Sequence, residues 1–221
     1  MRALIAGASG MVGNELLNLM LQSTNFTEVV SLVRKQSSQS NVKYSEVIIE
    51  WDNVLQCNLP DKLDVAFCCL GTTMKTAGSK EAFKKVDYEY AVNFAKLAHK
   101  HAIKCFVLIS AMGADAQSSI FYNKVKGETE EAIAQLGFQS LYIMQPSLLL
   151  GNRKEKRVGE KIAMYVLEFL NPIMRGPLKK YAAIQGLSVA KSMCWAALQQ
   201  KAGLHIFQSD QLHELAEKLN G

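Results

Sequence analysis

Apolar positions in this chain fall into two alternating kinds of pattern. Short continuous runs, "ALIAG", "VVSLV", "EVIIEW", "LDVAFCCLG", "KCFVLIS" and "SLYIMQP", read as strands buried on both faces. Between them, "MVGNELLNLML", "SKEAFKKVDYEYAVNFAKLAHKH" and "FYNKVKGETEEAIAQLG" repeat apolar residues every three or four positions, as amphipathic helices do. The β-α-β-α alternation predicts an α/β fold. A doubly wound parallel sheet of the Rossmann type is covered by helices on both faces. "SLYIMQP" reads as the last clear strand. From Gly151 the pattern loosens and becomes more helical, so residues 151–221 are expected to form a small C-terminal helical lobe on the substrate side of a single domain.

Composition narrows the class. At 221 residues, 49% apolar and 20% charged, the chain is an ordinary globular domain with enough length for a real core. The net charge of +5 suits an anionic small molecule, and no dense Lys/Arg cluster interleaved with aromatics points to nucleic acid. No apolar stretch reaches membrane-spanning length; "IAMYVLEFLNPIM" is cut by Glu168 and Pro172. Five cysteines, none in C-x-x-C spacing, read as reduced thiols, and the four histidines lack zinc-ligand spacing, so no metal is expected. The chain enters "MRALIAG" with no leader before it, and a cytoplasmic protein is the expectation.

The loop "AGASGMVG" links the first strand to the first helix, with Gly7, Gly10 and Gly13 at three-residue spacing. Gly7 permits a tight turn, Gly10 lets backbone approach a pyrophosphate, and Gly13 lets the helix lie close to the sheet. Free N–H groups at the helix start then face phosphate. This strand–loop–helix context predicts a bound dinucleotide. The second strand ends in Arg34 and Lys35 rather than in an acid. Two cations there suit the 2′-phosphate of NADP(H).

Tyr122 is the one tyrosine of seven with a lysine, Lys126, four residues later. Helical spacing puts both on one face, directly after a strand that ends in Ser110. Ligands in doubly wound sheets sit at the carboxyl ends of strands, so the three side chains are candidates to meet beside the nicotinamide. Tyr122 would donate or accept the proton, Lys126 would lower its pKa and hold the ribose, and Ser110 would orient the substrate carbonyl.

These motifs resemble the short-chain dehydrogenase/reductase superfamily, in particular its atypical Tat-interacting-protein-like branch. The resemblance is carried by "GASGMVG", "SLVRK", "FCCLGTT", "SAMGAD", "YNKVKGE" and "QPSLLLGNRKEKR". It implies that Ser9, Gly10, Met11 and Val12 hold the pyrophosphate and that Arg34 and Lys35 hold the 2′-phosphate. Leu70, Gly71 and Thr72 would line the adenosine side, and Tyr122 and Lys126 would hold the nicotinamide ribose. Pro146, Ser147, Leu148 and Leu149 would touch the nicotinamide, and Arg157 would reach a phosphate. Gln145 departs from the related pattern, which usually has arginine before the proline.

The charged run Arg153–Arg157 reads either as a solvated loop or as a lid over the cofactor. Asp87, Trp51 and Asp52 are further candidates to approach the cofactor, and Asn93 reads as a packing residue. Three functions share this constellation. They are an NADP(H)-dependent oxidoreductase for a small carbonyl or alcohol, a non-catalytic NADP(H)-binding regulator or scaffold, and a nucleotide-sugar epimerase. The last would need a larger substrate lobe. A protein partner or a second copy of the chain is compatible with all three.

Overall fold

A computed structural model describes residues 1–151 and 181–219. Seven parallel strands form one sheet in the order β3-β2-β1-β4-β5-β6-β9. They are β1 Arg2–Ala6, β2 Glu28–Val33, β3 Tyr44–Ile48, β4 Val65–Cys68, β5 Cys105–Ile109, β6 Ser140–Gln145 and β9 Gly203–Gln208. The first six follow the order expected of a dinucleotide-binding sheet. Two short strands, β7 Leu149–Leu150 and β8 Ile184–Gln185, pair separately beyond β6.

Strand side chains alternate between two cores. Ala3, Ile5, Val65, Phe67, Cys105, Val107, Tyr142 and Met144 face one, beneath helix α1 (Met11–Gln22) and the helix Gly186–Gln199. Leu4, Ala6, Ala66, Cys68, Phe106, Leu108, Leu141 and Ile143 face the other, beneath α4 (Ala91–Lys100) and α5 (Phe121–Ala134). Both faces being covered explains why these strands read as continuous apolar runs. Helix α1 forms because Val12, Leu16, Leu17, Met20 and Leu21 repeat at helical spacing and bury one stripe.

Two features depart from the sequence reading. The expected long helix is three pieces: α3 (Lys80–Lys84), a π-helical turn (Lys85–Tyr90) and α4. The wider turn brings Asp87 inside. In addition, "SLYIMQP" is not the final strand. Residues 203–208 join β6 in parallel, from Ser140 opposite Gly203 to Gln145 opposite Gln208. The backbone N–H of Lys201 donates to the Tyr142 hydroxyl at 2.7 Å and marks the start of that pairing. The closing helix, Ser209–Lys218, then buries Leu212 in the first core. The described part of the C-terminal stretch therefore extends the main sheet and covers one of its faces. The apolar segment "IAMYVLEFLNPIM" lies outside the described residues. No helix among the described residues is long and apolar enough to cross a membrane.

Because Leu212 shares its core with α1 and the central strands, truncating it should loosen the whole domain. Leu212→Ala is expected to cost about 2–5 kcal/mol. Urea unfolding should show a single transition at lower midpoint; a separate early transition would mean that the C-terminal elements fold as their own unit.

Candidate cofactor and active site

The sheet's order reverses between β1 and β4, and the loops following these two strands lie back to back. Gly7 has φ +86°, and a Cβ there would collide with the Cys69 carbonyl. A Cβ on Gly13 would collide with the Gly7 carbonyl. Glycine is thus required at the turn and where α1 crosses it. Gly10 is the N-cap of α1 and offers no side-chain cap, and no acid occupies the first turn. The first N–H groups of α1 are therefore free of side-chain partners, with Ser9 and Gly10 exposed beside them. Val12 is buried against the sheet, while the Met11 thioether packs towards Gly151 and Gly186. Arg34 and Lys35 follow β2 directly and are exposed. An uncapped helix start and a glycine-only crossing fit the pyrophosphate of a dinucleotide, and two exposed cations follow the neighbouring strand.

The opposite side of the crevice holds the polar residues. Lys126, 7% exposed, places Nζ 2.6 Å from Oδ1 of Asp87, 2% exposed. The other oxygen of Asp87 accepts the Thr72 N–H at 2.8 Å. Gly71 lies against the same pair: a methyl built on it would sit 3.5 Å from Asp87 Oδ1 and 3.9 Å from Lys126 Nζ. Thr129 donates to the Asp87 carbonyl at 3.0 Å and to that of Val125 at 2.7 Å. The loop after β4, the π turn and α5 are thus pinned at one carboxylate. Burial works against the Lys126 charge, but Asp87 and the nearby Tyr122 outweigh it and hold the ammonium above the usual lysine range.

Tyr122, half-buried, packs its ring on Phe83 with centroids 5.6 Å apart. Ser110 directly follows β5; its N–H donates to the Met144 carbonyl at 2.8 Å, and its buried Oγ has no hydrogen-bond partner among the described residues. Pro146 is buried, and its carbonyl accepts the Met112 N–H at 2.9 Å. Ser147 is tied down on both sides: its N–H donates to Ser209 Oγ at 2.7 Å and its hydroxyl donates to the Ala182 carbonyl. Leu148 is exposed, and Leu149 pairs with Ile184. Leu70 is half-buried beside Gly71. Arg157, with the rest of the 153–157 run, lies outside the described residues.

Asp52 lies on the surface, where Lys85 Nζ at 2.8 Å and the Tyr90 hydroxyl at 3.0 Å engage it, and Trp51 is buried against Tyr90. All five cysteines are free, and burial pushes Cys68, Cys105 and Cys194 up to about 12, far from a reactive thiolate. Among the described residues, no group of His, Cys, Asp or Glu is arranged to hold a metal ion. The sequence reading gave too little weight to Asp87 and missed Glu130, Gln145 as its partner, and Ser209. A regular helix hides Asp87, and a polar residue at a helix interior carries no periodic signal.

The fold and the crevice define an NAD(P)H-binding α/β protein of the Rossmann type. Residues 7–158 match the NAD(P)H-binding family, and the chain belongs to it. It is 33% identical over 168 residues to "Protein FMP52, mitochondrial" of Eremothecium gossypii, covering 75% of each chain. It is 36% identical over 163 residues to "Protein HTATIP2" of Rattus norvegicus, covering 72% of this chain and 67% of that one. The human epimerase family protein SDR39U1, solved with NADPH, superposes with a TM-score of 0.65 at 16% identity, over 94% of this chain and 74% of that one. At that identity the likeness speaks for the fold. Several FMP52 relatives are named as mitochondrial proteins, which overturns the cytoplasmic expectation.

Asp87→Ala would leave the Lys126 ammonium buried and uncompensated, at an expected cost of about 3–5 kcal/mol. Asp87→Ala combined with Lys126→Met should recover much of that loss in urea unfolding. A double variant no more stable than Asp87→Ala alone would show that the ion pair is not what the carboxylate supplies.

Proposed function

We propose that this protein is an NADP(H)-dependent oxidoreductase that reduces a small carbonyl compound or oxidises the corresponding alcohol. The observation that carries the reading is a buried lysine, Lys126, fixed by Asp87 one helical turn from Tyr122. Ser110 directly follows the adjacent strand. A lysine so held has a fixed direction and stays charged, as a group that grips ribose hydroxyls must. Tyr122 hands the proton to the carbonyl oxygen, and Ser110 orients that oxygen by hydrogen bonding. When bound, the nicotinamide supplies the hydride. The α1 start receives the pyrophosphate and Arg34 and Lys35 receive the 2′-phosphate, which favours NADP(H) over NAD(H). Ser147, already bonded through both N–H and hydroxyl, contributes as a fixed wall beside Pro146, Leu148 and Leu149. In this reading residues 151–221 provide the substrate side, with Arg157 as a further phosphate contact. The names of the FMP52 relatives support a mitochondrial setting.

Two experiments test the parts separately. Calorimetric titration of Arg34→Ala should weaken NADPH binding about tenfold or more and leave NADH little changed, as loss of a charge-assisted contact implies. Equal losses for both would remove the 2′-phosphate assignment. Tyr122→Phe should lower turnover in a carbonyl-compound screen by about 10²–10⁴-fold while NADPH still binds. Unchanged turnover would exclude Tyr122 as proton donor; NADPH binding without turnover by the wild-type protein would favour a regulatory binder.

A further inference from the structure

One turn beyond Lys126 on α5, a second carboxyl group, Glu130, is buried at 8% exposure. Its hydrogen bonds come from the Gln145 side-chain amide, whose Nε2 lies 3.1 Å from Oε1 and 2.9 Å from Oε2. Gln145, itself buried, closes β6, next to Ser110 at the end of β5. The cluster therefore contains two carboxyl groups and one ammonium. Asp87 already compensates that ammonium at 2.6 Å. An ionised Glu130 would be a second negative charge in a dry interior, facing a neutral amide. A protonated Glu130 carries one O–H in need of an acceptor. Ser110 Oγ is buried and close enough to act on the Glu130 carboxyl, yet among the described residues no hydrogen bond to it is formed with full geometry.

We propose that Glu130 is kept as a neutral carboxylic acid whose O–H donates to Ser110 Oγ, so that the Ser110 proton is turned towards the substrate. The donor without an acceptor and the acceptor without a donor satisfy one another. Ser110 then has one direction left for its own O–H, out of the cluster and into the crevice. Glu130 is a positioning residue in this arrangement. Its consequence for catalysis rests on the oxidoreductase reading, in which Ser110 polarises a carbonyl. Burial pushes the Glu130 carboxyl up, and Ser110, Gln145 and Lys126 pull it back only in part. Among the described residues, the charged groups facing the cluster are Lys126 on the same helix and, behind it, Asp87 from the π turn; β5 and β6 contribute the neutral Ser110 and Gln145. Because the folded form holds its proton more tightly than the unfolded chain, this group stabilises the fold fully below the ordinary glutamate range. That contribution is lost as pH rises through the folded value.

The test is infrared spectroscopy of the purified protein at neutral pH, alongside NADPH titration of each variant. The carbonyl band of a protonated carboxylic acid is expected in the wild type. It should vanish in Glu130→Gln, shift to higher frequency in Ser110→Ala as the acceptor is lost, and disappear in Gln145→Arg, where a cation favours the ionised form. Urea stability of Glu130→Gln should also lose the decline above the ordinary glutamate range. Absence of the band in the wild type, or its persistence in Glu130→Gln, overturns the proposal. A Glu130 band that Ser110→Ala leaves in place overturns it as well. Failure of the wild type to bind NADPH would instead strike the oxidoreductase reading, and the carboxyl band would be unaffected.

Discussion

The ion pair between Lys126 and Asp87 is the constraint on which the rest of the crevice depends. Placing a lysine ammonium in a protein interior costs several kcal/mol, recovered only by a close and well-bonded counter-charge. Here the counter-charge comes from a different element, and a backbone N–H from a third completes it. One carboxylate therefore sets the spacing of α5, the π turn and the loop after β4. The half of the site that meets the nicotinamide ribose in the proposed reading is rigid for an electrostatic reason. The half that meets phosphate is rigid for a steric one, since its glycines leave no room for a side chain.

The π turn is what lets this happen. A regular helix over residues 80–100 would keep a strict apolar stripe, with Asp87 rotated away from the interior. Widening one turn lets Asp87 point inward without interrupting the buried run Ala91, Val92, Phe94, Ala95, Leu97 and Ala98 that follows. Such widened turns recur at functional sites because they redirect one side chain at low cost to the rest of a helix. The buried amide of Gln145, carboxyl of Glu130 and hydroxyl of Ser110 continue the same polar layer.

Much of this was legible in the residues. The apolar runs gave six strands of the sheet, the central ones because both faces are covered, and the glycine spacing marked the turn because sterics there admit nothing larger. Tyr122 and Lys126 stood out by their spacing together with their place at the start of the helix after the strand that leads to Ser110. What stayed hidden depends on partners distant in sequence. Asp87 looks like one more polar residue on an amphipathic helix until the turn widens. Strand β9 sits at an edge, so "GLHIFQ" has a half-exposed pattern rather than a buried run. Ser209 is buried only because the closing helix docks beneath Ser147. The compartment was misjudged because nothing in the composition separates cytosol from mitochondrion.

The pairing of β6 with β9 also bears on how the chain reaches this state. All six residues of β6 are buried, yet one of its edges is closed by a strand that begins only at Gly203. While the chain is being made, β6 emerges with Leu141, Ile143 and Met144 and has β5 on one side alone. Its other edge remains an open apolar template until residues 203–208 arrive. Parallel pairing across so great a sequence separation is slow, and open edges of this kind recruit other chains. Between synthesis of β6 and arrival of β9 the chain therefore carries an unpaired apolar strand edge.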